Sequence, residues 1–252
     1  MKNELKMKLR KLELSDFVEA IEEQENEISY VDKSFDERIE DLAEYIANLR
    51  YNKLVRKLIT NACFRFPEAD LSTLNFDARK INKDAIITLG NNKYIETKTN
   101  ILIVGPTGSG KTYLACALAK EACKETHRVF YIRSQELTRK VEELAVNPKE
   151  LTKYLKRLSN YHVLIIDEWL TYKVSDKLLK FLYELFEFRS EKHPTIFVTQ
   201  YEIDTWHERL TGDRHADSIM DRIMHNRYNV ESTNENLRKF YGKQAAAKLS
   251  EE

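Results

Sequence analysis

One octet constrains this chain more than any other feature: Gly105-Pro106-Thr107-Gly108-Ser109-Gly110-Lys111-Thr112. It follows Ile101-Leu102-Ile103-Val104, a short apolar run typical of a strand buried in a parallel sheet. It precedes Thr112 to Lys124, where apolar residues recur at helical spacing. Strand, glycine-bearing turn and helix, in that order, are the context a phosphate-binding loop requires. Gly105, Gly108 and Gly110 permit backbone conformations that side chains resist. Several N–H groups can then point at one phosphate chain, with the helix N-terminus adding partial positive charge. Lys111 is expected to reach the β- and γ-phosphates of ATP, and Thr112 to offer its hydroxyl to Mg2+.

The pattern after the octet repeats the alternation. Val129-Phe130-Tyr131-Ile132, Val163-Leu164-Ile165-Ile166, Thr195-Ile196-Phe197-Val198-Thr199 and Tyr228-Asn229-Val230 read as further strands. Gln135 to Leu144, Lys149 to Leu158, Ser175 to Ser190 and Asp217 to His225 read as helices. Strands alternating with helices predict an α/β fold with a doubly wound, mostly parallel sheet.

Three further positions complete a candidate site. The third strand ends in Asp167-Glu168. An Asp at a buried strand's carboxyl end suits Mg2+, and a Glu one residue on suits a general base for the attacking water. The bland reading is an acidic pair capping the next helix. Its distance behind the octet, with a strand and helices between, favours the chemical one. Metabolite kinases often lack the glutamate, so Glu168 favours hydrolysis over transfer. Thr199-Gln200, at the fourth strand's end, would lie beside the γ-phosphate; otherwise they are polar residues facing solvent. In the helix 217–225, Ile219 and Ile223 face the core and leave Arg222 outside it. An arginine there could reach a neighbouring subunit's ATP and stabilise transition-state charge. Its ordinary fate would be a surface ion pair with Asp221 or Asp217.

The N-terminal part has another texture. Acids dominate from Glu13 to Glu44, against only Lys33 and Arg38. From Tyr45 to Pro67 the sign reverses, with Arg50, Lys53, Arg56, Lys57 and Arg65 and no acid. No glycine interrupts this stretch, and Leu42, Tyr45, Ile46, Leu49, Leu54 and Leu58 recur at helical spacing. Residues 1–66 therefore read as a helical module ended by Phe66-Pro67. Formal net charge is zero, so nucleic-acid binding cannot be argued from bulk basicity. Three cysteines without metal-ligand spacing argue against a disulfide framework or zinc site, and Cys116 and Cys123 read as small apolar residues in the helix after the octet. No secretion signal and no apolar run of membrane-spanning length is present, which predicts a cytoplasmic protein with no membrane partner.

Taken together, the octet, Leu164-Ile165-Ile166-Asp167-Glu168-Trp169-Leu170, Thr195 to Gln200, Trp206-His207-Glu208-Arg209-Leu210 and Ala216 to Asn226 resemble the IstB-type transposition helper ATPases. These are AAA+ proteins similar to the DnaC and DnaI helicase loaders. Ala62-Cys63-Phe64-Arg65-Phe66-Pro67 and Leu74-Asn75-Phe76-Asp77 resemble that family's junction between its helical and ATPase domains. The resemblance implies a helical domain over 1–75 and an AAA+ domain with a reduced lid over 76–252. It implies Mg-dependent ATP hydrolysis, assembly as a homo-oligomer with ATP, binding of duplex DNA with little sequence preference, and stimulation of a cognate transposase. Carried over by position, Lys111 and Thr112 bind nucleotide and Mg2+, Asp167 and Glu168 are the acidic pair, and Thr199-Gln200 is the sensor 1 site. Arg222 is the arginine finger and Arg238 the sensor 2 residue, although Asn236 departs from the pattern that precedes it. Candidate DNA contacts are the helix Lys149 to Arg157, Lys140, and the stretch Arg50 to Arg65. A helicase loader preferring single strands, a metabolite kinase and an ATP-binding structural oligomer are the competing readings. The Trp-His-Glu-Arg-Leu block counts against the first of these and Glu168 against the other two.

Overall fold

The computed structural model describes residues 2–232. The charge-rich N-terminal stretch forms α1 (Asn3–Lys11), α2 (Ser15–Asn26) and α3 (Phe35–Asn61). Ser34 and Glu37 start α3 with a reciprocal capping box: the Ser34 N–H donates to Glu37 Oε2 at 2.7 Å and the Glu37 N–H to Ser34 Oγ at 3.3 Å. Leu42 and Ile46 of α3 bury against Ala20 of α2. Arg50 and Lys53 both reach Asp16, at 3.0 and 2.8 Å, so two candidate DNA contacts are engaged inside this unit.

The chain divides into two compact units, Met1–Lys57 and Leu58–Glu252, with the boundary inside α3. The family resemblance implies a division at 75/76. In the structure Ala62, Phe64, Ala69 and Leu74 are buried in the core of the second unit, so residues 58–75 pack with it.

In that second unit α4 (Phe76–Arg79), α5 (Lys83–Gly90) and α6 (Lys93–Glu96) precede the sheet. The alternation then follows the expectation: β1 (Asn100–Val104), α7 (Lys111–Lys124), β2 (Val129–Arg133), α8 (Ser134–Leu144), α9 (Pro148–Ser159), β3 (Val163–Asp167), α10 (Asp176–Arg189), β4 (Thr195–Thr199), α11 (Trp206–Arg209), α12 (Arg214–Met224) and β5 (Arg227–Glu231). The five strands run parallel in the order β2-β3-β4-β1-β5, with Ile101 opposite Ile196 and Tyr228. Successive residues of each strand face opposite sides. Ile101, Ile103, Val163, Ile165, Ile196 and Val198 enter a core with α5 and α7. Leu102, Leu164, Ile166 and Phe197 enter another with α8, α9, α10 and α12. Burial on both faces is why the strands read as continuous apolar runs.

Arg189 ties loops at the lower rim of the sheet. Fully buried, it donates to the Leu158 and Tyr161 carbonyls and to Thr195 Oγ1, at 2.9, 2.8 and 3.0 Å. No described helix is long and apolar enough to cross a membrane. Cys116 and Cys123 are buried and unpaired, as expected, and burial pushes their thiols up to about 11 and about 12.

Candidate nucleotide-binding site

The period-two rule of a strand decides which polar residues meet. Asp167 shares its face with Ile165 and Val163, the face packed against α7. Thr112 opens α7 on that same side. The Thr112 hydroxyl accordingly donates to Asp167 Oδ2 at 3.0 Å. Asp167 is 1% exposed, and a buried carboxylate needs partners. It takes the Tyr131 hydroxyl at 2.7 Å on Oδ2 and the Glu168 N–H at 2.8 Å on Oδ1. Burial first, and then the charge of Asp167, push the Tyr131 phenol well above its ordinary value, which keeps it a donor. Tyr131 belongs to no motif. The signal that could have found it is its place on β2 facing the α7 side, opposite Ile165.

The octet forms the loop between β1 and α7. Gly105, Gly108 and Gly110 have φ of 155°, 89° and 82°. At Gly105 a Cβ would stand 2.6 Å from Ser232 Oγ and 2.9 Å from the Ser232 carbonyl, so no side chain fits. Asn82, Asn147, Ser175 and Asp213 cap α5, α9, α10 and α12 through their side chains. Gly110 gives α7 no side-chain cap, as at α1, α2 and α8, and the first-turn N–H groups of α7 face the loop, where they suit an anion. The Lys111 ammonium folds onto the Gly105 and Pro106 carbonyls, at 2.6 and 2.7 Å, inside the loop. Ser109 is buried and donates to the Pro106 carbonyl at 2.9 Å.

Gln200 and Thr199 part company. Gln200 Oε1 accepts the Thr107 hydroxyl at 2.8 Å and so stands at the loop. Thr199 shares its face with Phe197, away from α7. Its buried hydroxyl donates to the Trp169 carbonyl at 2.8 Å and accepts the Tyr201 N–H at 3.1 Å. Thr199 thus touches the turn that carries Glu168, and its side chain does not reach the loop.

That turn is held from below. The Trp169 N–H donates to the Val198 carbonyl at 2.8 Å. The Trp169 ring packs with Phe186, Phe197 and Trp206 at centroid distances of 6.0, 5.1 and 6.0 Å. Trp206 donates to the Tyr201 carbonyl at 3.0 Å, and Arg209 donates to the Leu170 carbonyl at 3.3 Å while covering the Tyr201 ring. The two sequence blocks Asp-Glu-Trp-Leu and Trp-His-Glu-Arg-Leu are therefore one packed unit beneath Glu168.

Arg222 lies elsewhere. It pairs with Glu187 of α10, donates to the Ser218 carbonyl at 2.9 Å and covers the Tyr183 ring at 4.9 Å. Its partner is Glu187 and not the neighbouring Asp221 or Asp217. Its own carbonyl stands 3.5 Å from the Asn100 side chain, at the start of β1, while the loop follows the end of β1. Five parallel-strand residues separate the two ends by about 16 Å. Arg238 lies outside the described residues. Among the basic candidates, Lys153 pairs with Glu150, Lys140 with Glu143, and Arg65 with Glu168.

The donor set fits Mg2+. Thr112 and Asp167 supply hard oxygens, and their 3.0 Å separation matches the edge of about 2.9 Å in an octahedron of Mg–O bonds. No described group of three or more His, Cys, Asp and Glu residues offers an all-protein metal cage.

Residues 7–245 match the family model described as IstB-like ATP binding protein. A Sinorhizobium fredii protein named as an insertion sequence ATP-binding protein, y4uH, is 30% identical over 198 residues, 79% of each chain. A Bacillus thuringiensis protein named as the ATP-binding protein of insertion sequence IS232 is 27% identical over 201 residues, 79% of this chain and 78% of that one. The solved structure of the DnaC helicase loader superposes with a TM-score of 0.54 at 23% identity, covering 67% of this chain and 99% of the other. The fold is the one shared with the DnaC helicase loader.

Proposed function

The chain belongs to the IstB-like ATP-binding protein family, and from that premise we propose that it is the ATP-hydrolysing helper of an insertion sequence, assembling on duplex target DNA and stimulating its cognate transposase. The observation that carries the chemical part is the meeting of Thr112, Asp167, Glu168, Thr107 and Gln200 at the carboxyl ends of β1, β3 and β4. The DNA and transposase parts rest on family membership.

In this reading the 105–112 backbone cradles the phosphates, and Lys111 leaves its two carbonyls for the β- and γ-oxygens. Thr112 and Asp167 would hold Mg2+, which would neutralise charge developing on the phosphates. Glu168 orients the attacking water and takes its proton. Gln200 fixes the γ-phosphate side of the site through Thr107. Thr199 is a positioning residue for the turn. Arg222, a strand's length from its own loop, serves the ATP of a neighbouring subunit, which makes hydrolysis depend on a homo-oligomer.

The test mixes the protein with random-sequence duplex or single-stranded DNA, with and without ATP, at fixed salt. Large ATP-dependent complexes on duplex DNA are expected. Preference for single strands would move the reading to a helicase loader, and no DNA binding at all would sink it. Glu168→Gln is expected to trap an ATP-bound assembly on DNA, and Lys111→Ala never to assemble. Normal turnover by Glu168→Gln would remove the general-base assignment.

A further inference from the structure

Arg65 comes from outside the strands and helices of the site, yet its side chain reaches the site's centre. The segment that carries it is fixed at three points. The Ala62 carbonyl accepts the Tyr131 N–H at 2.8 Å, along the outer edge of β2. Phe64 is buried, and the Phe66 ring stands 5.9 Å from that of Tyr113 in the first turn of α7. Between these anchors the Arg65 guanidinium donates to Glu168 Oε1 at 3.3 Å. The same nitrogen is 4.0 Å from Asp167 Oδ2.

We propose that Arg65 is a positioning residue that restrains hydrolysis by pairing with Glu168 until the assembled, nucleotide-bound protein draws the two apart. The inference rests on the reading of Glu168 as the general base. A carboxylate accepts a proton from water only when a lone pair faces that water. A guanidinium donating to Oε1 takes up one of the carboxylate's acceptor sites and turns the group toward itself. The backbone of Glu168 cannot compensate, because the Asp167 side chain holds its N–H and the anchored Trp169 follows it. The guanidinium near Asp167 also competes with any cation that Asp167 and Thr112 hold, since both positive charges draw on one carboxylate. Binding at the metal position and pairing at Arg65 therefore oppose each other. Arg65 and Glu168 are 38% and 34% exposed at the side chain, and a half-exposed pair is weak enough to open during each cycle.

The test reads ATP turnover without DNA or a protein partner. Arg65→Ala is expected to raise kcat about three- to tenfold with KM changed less than about twofold, and Arg65→Lys, which keeps the charge, to stay near wild type. An unchanged kcat in Arg65→Ala overturns the proposal. A lower kcat also overturns it, and would make Arg65 a group that stabilises the transition state. A second readout needs no turnover. In the Glu168→Gln background, Mg2+ is titrated into the protein with a fluorescent ATP analogue. Adding Arg65→Ala is expected to lower the half-saturating Mg2+ about two- to fivefold, and an unchanged titration overturns the competition at Asp167. Arg65→Gln is read in place of Arg65→Ala if the latter melts early. A hydrolysing Glu168→Gln overturns the base assignment and the latch together. An inactive Glu168→Gln beside an unaccelerated Arg65→Ala overturns the latch alone.

Discussion

Glu168 and Leu170 both hold left-handed backbone, at φ 57° and 59°, on either side of the anchored Trp169. Each such residue costs about 1–2 kcal/mol when it is not glycine, so the packing beneath must over-determine the turn. The residues at this scale that the sequence disclosed are those bound by a local motif: the 105–112 octet and Asp167-Glu168. Tyr131 and Arg65 stayed hidden because their contacts span β2 to β3 and residue 65 to residue 168, and no local pattern records a pairing across that separation. Thr199 was legible in principle, since alternation along β4 sends Thr199 and Gln200 to opposite faces. Burial, with Arg189 and His162 nearby, lowers the His193 imidazole from 6.5 to about 4. The unfolded chain takes up that proton as pH falls below 6.5 while the folded chain refuses it until about 4, so stability is lost across that window. His193→Gln is expected to flatten the fall, read as a smaller drop in urea midpoint between pH 7 and pH 4.5. An equal drop in both proteins would exclude His193 as a source.

Among elements, the long periodic helices and the apolar strands fell close to where the sequence put them. The short helices α4, α6 and α11 have four residues each, too few for a 3.6-residue period to register. The start of α12 was placed late for another reason: Asp213, whose side chain caps the His215 and Ala216 N–H groups at 2.9 and 3.0 Å, is the true N-cap. α11 shows what a short element can do. Trp206→Ala removes a fully buried indole from under Trp169, which should cost about 3–5 kcal/mol by creating a cavity. Turnover should fall as well, because Trp206 supports the turn under Glu168 without touching nucleotide. Urea unfolding and single-turnover kinetics check the two effects. Full turnover in a folded but destabilised Trp206→Ala would detach α11 from the site.

For the molecule as a whole, the proposed finger and the proposed base sit at opposite ends of the strands, and one subunit would lend what the next one uses. Arg222→Ala and Glu168→Gln should each be inactive alone. Mixed in equal amounts, random assembly places an intact Glu168 site beside an intact Arg222 in about a quarter of the interfaces. About that fraction of wild-type turnover is expected in the mixture, measured by steady-state ATPase. No recovery would mean that Arg222 acts within its own chain or not at all.

The strand order also fixes a schedule. β1 stands between β4 and β5, so Ile101 finds its partners at Ile196 and Tyr228, far later in the chain. On the ribosome, β2 and β3 can pair as soon as they emerge, with the 62–66 segment already made and ready to cover the β2 edge. β1 and the loop behind it must wait for β4 to cover one side and for β5 to cover the other. The nucleotide site thus forms late although its motif is made early, and a nascent chain stopped before β4 would carry the octet without Gln200 and without the strand that joins β1 to β3.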